Sequence, residues 1–205
     1  MSRVFIFGAL TAKYLPETPE EGDLVIAADL GFERLKEISI KPDLLVADFD
    51  SMEEIPDFEP IIRLDQRKDF TDIACAINLG FERGFTQFVI YGGAGEKLDH
   101  SLANIQLCSD ILSRGGSAVF YGDRESFTVI RESFHFDRRQ EGRLSVFSLT
   151  EESRGVTIKG ASYEVESVTL YRRTPLGVSN AFVGREVDIS VKDGELLIIW
   201  QTVSK

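Results

Sequence analysis

The stretch Gln87-FVIYGGAGEKLDHSLANIQLCSDILSRGGSAVFYG-Asp123 decides the fold. It opens on a short aromatic and β-branched run, Phe88 to Tyr91, and closes on another, Ala118 to Tyr121. Between them Leu102, Ile105, Ile111 and Leu112 recur with helical spacing, and Gly115-Gly116 supplies a terminator. Strand, helix and strand within so short a compass make a βαβ unit, whose strands run parallel and whose helix covers the sheet.

Upstream the same grammar repeats. "RVFIFG", "DLVIAAD", "DLLVAD" and "PIIRL" read as strands, and "GFERLKEI" and "TDIACAINLGFERG" as helices. After about Ile130 it changes to strand-sized pieces alone: "FHFD", "RLSVFSL", "GVTIKG", "SVTLY", "EVDISV" and "ELLIIW". The last two, joined as "EVDISVKDGELLIIW", predict a hairpin with Asp193-Gly194 at its tip. The expected architecture is an α/β N-terminal domain, 1–131, with a parallel sheet covered by helices, plus a smaller all-β sandwich C-terminal domain, 132–205. The second piece is short for an independent core, so it is expected to pack on the first or on another chain.

Thirty-four acidic residues against twenty-three basic give a net charge of −11. That balance argues against non-specific binding to nucleic acid or to anionic membranes, and a phosphate ligand would need cations to mediate it. The N-terminal "MSRVFIFGAL" is too short for a membrane span and lacks a cleavage pattern, so a cytoplasmic protein is expected. Cys75 and Cys108 belong to no Cys-x-x-Cys motif and read as free thiols.

In an open parallel sheet ligands bind beyond the carboxyl ends of the strands, and here those ends are acidic. "DLVIAAD" ends at Asp29, and "DLLVAD" ends at Asp48, with Asp50 two residues on. Thr71-Asp72 opens a helix, and Asp99-His100 opens the next. Asp72 or Asp99 alone reads equally as a cap. Asp48 and Asp50 do not, because neighbouring carboxylates repel unless a cation neutralises them. Oxygen donors with few histidines favour Mg²⁺, Mn²⁺ or Ca²⁺ over zinc. Lys68 and Lys97 read either as phosphate-facing cations or as solvated lysines, and His100 either as a base or as a helix-start residue. "YGGAGEKLDH" is a turn that lets backbone approach a ligand, with neither Walker nor complete Gly-x-Gly-x-x-Gly spacing.

These blocks, in order, resemble the thiamine pyrophosphokinase family. "AADLG" is similar to that family's Ala-x-Asp-Gly-Gly block, and "PDLLVADFDS" to Pro-Asp-x-x-x-Gly-Asp-x-Asp-Ser. "KDFTD" matches Lys-Asp-x-Thr-Asp, "GGAGEKLDH" resembles Gly-x-x-Gly-x-Arg-x-Asp-His, and "GVTIKGASYEV" and "LGVSN" resemble blocks of the second domain. The resemblance implies transfer of the diphosphate of ATP to the thiamine hydroxyl, releasing AMP, by a Mg²⁺-dependent homodimer with active sites shared between subunits. It implies Asp48, Asp50 and Asp72 as metal ligands, with Asp99 as a further catalytic carboxylate. Asp29, Lys68, Thr71, Lys97 and His100 would stand at the nucleotide, and Tyr163, Ser179 and Asn180 at the thiamine. The proton acceptor stays open between Asp29 and Asp99.

The chain departs from the family pattern at Leu30 and Ala47, where glycines are expected, and at Lys97, where an arginine is. Two rivals use the same residues. "LLVADFDS" is also similar to the hydrophobic-Asp-x-Asp motif of haloacid-dehalogenase phosphatases, in which the first Asp is a nucleophile. The other rival is a non-catalytic nucleotide or thiamine sensor.

Overall fold

A computed structural model of the chain describes residues 2–9, 14–49, 56–65, 70–95 and 97–202. By internal contacts the chain divides into two compact units, one running to Asp123 and the other beginning at Arg124.

The first unit contains strands β1 (Val4–Phe7), β2 (Leu24–Ala28), β3 (Leu44–Ala47), β4 (Ile61–Arg63), β5 (Gln87–Tyr91) and β6 (Ser117–Tyr121). Helices α1 (Gly31–Glu37), α2 (Asp72–Glu82) and α3 (Leu98–Ser113) alternate with them. The strands lie in the order β4-β3-β2-β1-β5-β6, and all their pairings are parallel. Every residue of β1 and β3 is buried. A parallel sheet covered on both faces demands such unbroken apolar strands, which is why VFIF and LLVA carry no polar alternation. α3 ends as its glycine pair requires, with the Gly116 N–H donating to the Ile111 carbonyl at 2.9 Å. No helix among the described residues is long and apolar enough to cross a membrane.

The second unit is all strand: β7 (Glu125–Ile130), β8 (Ser133–Arg139), β9 (Arg143–Ser148), β10 (Glu152–Lys159), β11 (Val165–Tyr171), β12 (Asn180–Ala181), β13 (Arg185–Ser190) and β14 (Leu196–Gln201). β12-β9-β14-β7 pair antiparallel along one sheet, and β11-β10-β13-β8 along the other. Their faces meet in an aromatic core. Trp200 of β14 lies 5.7 Å from Phe134 and 5.1 Å from Phe136 of β8, ring centre to ring centre, and Phe136 lies 5.1 Å from Phe182. Two facing antiparallel sheets make this the expected sandwich.

One local expectation is overturned: β13 and β14 do not form a hairpin. β13 pairs with β10 and β8, while β14 pairs with β7 and β9 in the other sheet. The Asp193-Gly194 turn is a crossing between sheets, held where the Arg154 N–H donates to the Asp193 carbonyl at 2.8 Å. The physical reason is burial. β13 buries only Val187 and Ile189, on one alternating face, whereas β14 buries Leu196, Leu197, Ile198 and Trp200, from both faces, so the two strands suit sheets with different surroundings. β7, whose last residue abuts the domain join expected at Arg131, pairs along its whole length with β14.

Candidate active site at the strand ends

The parallel register brings the strand ends level. Phe7 pairs with Ala27 and Tyr91, Ala28 with Val46, and Tyr91 with Tyr121. Asp29 and Asp48 each follow their strand by one residue; because Ala28 pairs with Val46, Asp29 stands level with Ala47 and Asp48 emerges one residue further along the neighbouring strand. The Asp29 N–H donates to the Val46 carbonyl at 3.0 Å, which ties the two ends together. β1 is flanked by β2 and β5, so the strand order reverses there, and this is the position at which open α/β sheets bind ligands.

Three helix starts converge on the same rim. α1 begins against β1: a Cβ at Gly31 would stand 1.8 Å from the Phe7 carbonyl oxygen, a distance no side chain can occupy. α2 begins over it, since a Cβ at Gly8 would lie 3.3 Å from Ile73 Cδ1. Thr71 caps α2, its hydroxyl accepting the Ala74 N–H at 3.2 Å, and the half-buried Asp72 occupies the first turn, where the helix dipole favours an anion. α3 begins beside the glycine turn after β5. There the exposed Asp99 accepts the His100 N–H at 2.9 Å, and Lys97 and His100 are exposed as well.

Backbone conformation marks the same places. Asp29 has φ 51° and Phe49, between Asp48 and Asp50, has φ 63°. The left-handed region suits a short polar residue such as Asp but is costly for Phe, and strain of this kind gathers at functional sites. The Phe49 ring carries the Arg63 guanidinium, 5.1 Å from the ring centre.

Two of the three departures from the family pattern, Leu30 and Ala47, are also accounted for. Leu30 sits in right-handed helical geometry (φ −58°, ψ −7°) and is partly exposed, so position 30 does not require glycine, whereas Gly31 does. Ala47 is a fully buried strand residue paired with Arg63, and its methyl group is accommodated in the sheet interior.

Sequence reasoning missed several supports of this rim. The buried Asn104 of α3 donates through Nδ2 to the Gly93 carbonyl at 2.9 Å, pinning the glycine turn, and Gly93 itself presses on Phe120. Glu17, in the β1–β2 connection, is tied across the ends of β5 and β6. Its carbonyl accepts the Tyr91 hydroxyl at 2.6 Å, its carboxylate accepts the Tyr121 hydroxyl at 2.7 Å, and Arg3 pairs with it. Burial pushes the Tyr91 phenol well above its ordinary range, so it stays a donor. The stretch "DHSLAN" signals Asn104 only as a polar residue on the apolar side of a helix; nothing in the sequence signals Glu17.

In the second unit Tyr163, Ser179 and Asn180 come together. Asn180 is buried, with Oδ1 accepting the Tyr163 N–H at 2.9 Å and Nδ2 donating to the Tyr163 carbonyl at 2.8 Å. Tyr163 is left 71% exposed. Ser179 adopts φ 62°, and its N–H donates to Ser145 Oγ at 3.2 Å. Asp50 and Lys68 lie outside the described residues.

An open parallel sheet with carboxylates at adjacent strand ends, beside the point of strand reversal, defines the class of α/β proteins that bind ligands at a topological switch point. Comparison with known proteins narrows the class. The model of the thiamin pyrophosphokinase catalytic domain matches residues 15–120, and that of the thiamin pyrophosphokinase vitamin B1 binding domain matches 131–196. The chain belongs to the thiamin pyrophosphokinase family. The thiamine pyrophosphokinase of Bacillus subtilis is 24% identical over 191 residues, 89% of each chain. The crystal structure of the Bacillus subtilis thiamine pyrophosphokinase superposes with a TM-score of 0.84 at 21% identity, covering 99% of this chain and all of that one. The Candida albicans thiamin pyrophosphokinase superposes at 0.74 with 14% identity, covering 98% and 89%. Family membership makes the chain a diphosphotransferase and decides against the phosphatase rival.

Proposed function

We propose that this chain transfers the diphosphate of ATP to the hydroxyl of thiamine, giving thiamine diphosphate and AMP, at the rim where Asp29 and Asp48 leave adjacent strands. The emergence of two carboxylates from the ends of adjacent parallel strands, within a chain matched by both family domains, is the observation that carries the reading. The reaction is an in-line displacement at the β-phosphorus of ATP, in which catalysis is mostly positioning and charge neutralisation.

Among the described residues no three His, Cys, Asp or Glu side chains converge into a metal cage. The donor chemistry of the rim, carboxylate oxygen at Asp48 and Asp72, fits Mg²⁺, which is commonly held by one or two carboxylates together with substrate phosphates. Asp48, Asp50 and Asp72 would hold it. When bound, Mg²⁺ neutralises the charge of the polyphosphate. The chain's own groups do the rest. Lys68, Lys97, Thr71 and His100 contact the phosphates or the nucleotide, and the thiamine hydroxyl gives its proton to a rim carboxylate, Asp29 or Asp99. The exposed Tyr163 presents a face to thiamine, and Asn180 holds the Tyr163 backbone beside Ser179. The working protein is a cytoplasmic homodimer in which two subunits share each site.

The test is AMP release from ATP with and without thiamine, across a series of Mg²⁺ concentrations. Thiamine- and Mg²⁺-dependent AMP is the expected result. Binding of both ligands with no AMP formed would make the chain a sensor instead.

A further inference from the structure

We propose that Arg63 is a phosphate-binding residue of this site, gripping the polyphosphate of ATP beside the Asp48 turn; the inference rests on the diphosphotransferase reading above. Arg63 is the last residue of β4 and pairs with Ala47, and the next N–H, of Leu64, donates to the Ala47 carbonyl at 3.0 Å. The arginine thus leaves its strand one residue short of the level of Asp48, on the neighbouring strand. It is exposed, and its guanidinium rests over the ring of Phe49, the residue that follows Asp48.

Its position and its lack of a carboxylate partner coincide. Arg3, Arg34, Arg114 and Arg131 each end on a carboxylate, whereas Arg63, at the rim over Phe49, forms no such pair among the described residues. In a chain of net charge −11, an arginine stacked on an aromatic ring at the acidic rim keeps its N–H fork available. Stacking fixes the plane of the guanidinium while leaving its edge open, and that edge matches two phosphate oxygens. The ring beneath it belongs to Phe49, whose φ of 63° lies in the left-handed region. A tetraanionic nucleotide entering an acidic rim needs such a cation in addition to any metal.

The experiment compares the full chain with Arg63→Gln and Arg63→Lys. It measures KM for ATP and for thiamine, inhibition by tripolyphosphate and by adenosine, tripolyphosphate binding by calorimetry, and Tm. Arg63→Gln is expected to weaken ATP and tripolyphosphate about tenfold, the scale of one lost charged hydrogen bond. Adenosine inhibition, thiamine KM and Tm stay unchanged, and Arg63→Lys recovers part of the loss. Unchanged ATP and tripolyphosphate in Arg63→Gln would overturn the inference and leave Arg63 as a neutraliser of the aspartates. A loss confined to adenosine would overturn it too, by placing Arg63 at the base. If the unaltered chain forms no AMP, the functional reading fails by itself, and the calorimetric comparison still decides for or against Arg63.

Discussion

The α/β unit and the β-sandwich unit distribute polarity in opposite ways. In the first, β1 and β3 are buried throughout, and polar residues begin one position past the strand ends, at Asp29 and Asp48. In the second, strands such as β13 alternate along their length, with Val187 and Ile189 inward and Glu186 and Asp188 outward. A sheet covered on both faces has nowhere for function except its rim. A sandwich has an outer face everywhere, so no single end is marked. The rim of the first unit should therefore be separable from its stability, and the core of the second should carry stability alone.

The largest expected effect tests the rim. Asp48→Asn should lower AMP formation by on the order of a hundredfold or more, as losing a preorganised electrostatic group does, with Tm unchanged. A fall in Tm matching the loss of activity would mean that the carboxylate is structural. Next, Trp200→Ala removes the side chain on which Phe134 and Phe136 pack and should cost about 4 kcal/mol in urea unfolding followed by circular dichroism. A cost below about 1 kcal/mol would show that the sandwich does not depend on that cluster.

Gly31→Ala is the test inside the first unit where fold and rim touch. Its methyl would collide with the Phe7 carbonyl, and overpacking of that kind should cost about 3 kcal/mol. Leu30→Gly, which restores the family's residue, should give no gain in stability, because the backbone there is already comfortable for a side chain. Thermal unfolding of the two variants side by side checks the pair.

The smallest effect lies on the sandwich surface. His135 and Asp188 pair directly across β8 and β13, with Nδ1 and Oδ1 2.8 Å apart, and the hydrogen bond that the protonated ring donates to Asp188 raises the His135 pKa above its ordinary value. A raised folded-state pKa means that the pair's contribution is complete below the unfolded value and fades as pH climbs through the folded one. The ring is solvent-exposed, so stability should hardly follow pH, while the His135 proton resonances in Asp188→Asn should titrate at lower pH than in the parent.

How much of this was legible differs between the units for the same reason that their polarity does. Most of the six parallel strands, β1 and β3 above all, could be read because strands buried on both faces are continuous apolar runs. Asp29 and Asp48 could be read because they interrupt those runs. β12, two residues long, and β7, at the join, gave no comparable run. "VKDG" is as good a turn for a hairpin as for a crossing between sheets, and only the partners of β14 choose between them. Asn104, Glu17 and Arg63 stayed hidden because each acts on a partner remote in sequence: a glycine carbonyl, two tyrosine hydroxyls, an aromatic ring.

By itself, then, the sequence determined the order of strands and helices, the acidic strand ends and the demand for cations, because hydrophobic periodicity and charge are local properties of the chain. Tertiary structure alone decided that Asp29 and Asp48 leave neighbouring strands, that Gly31 and not position 30 must lack a side chain, that β13 and β14 part into different sheets, and that Arg63 lies over Phe49. Each of these depends on which strands become neighbours and in what register, and register is set by long-range burial that no short stretch encodes.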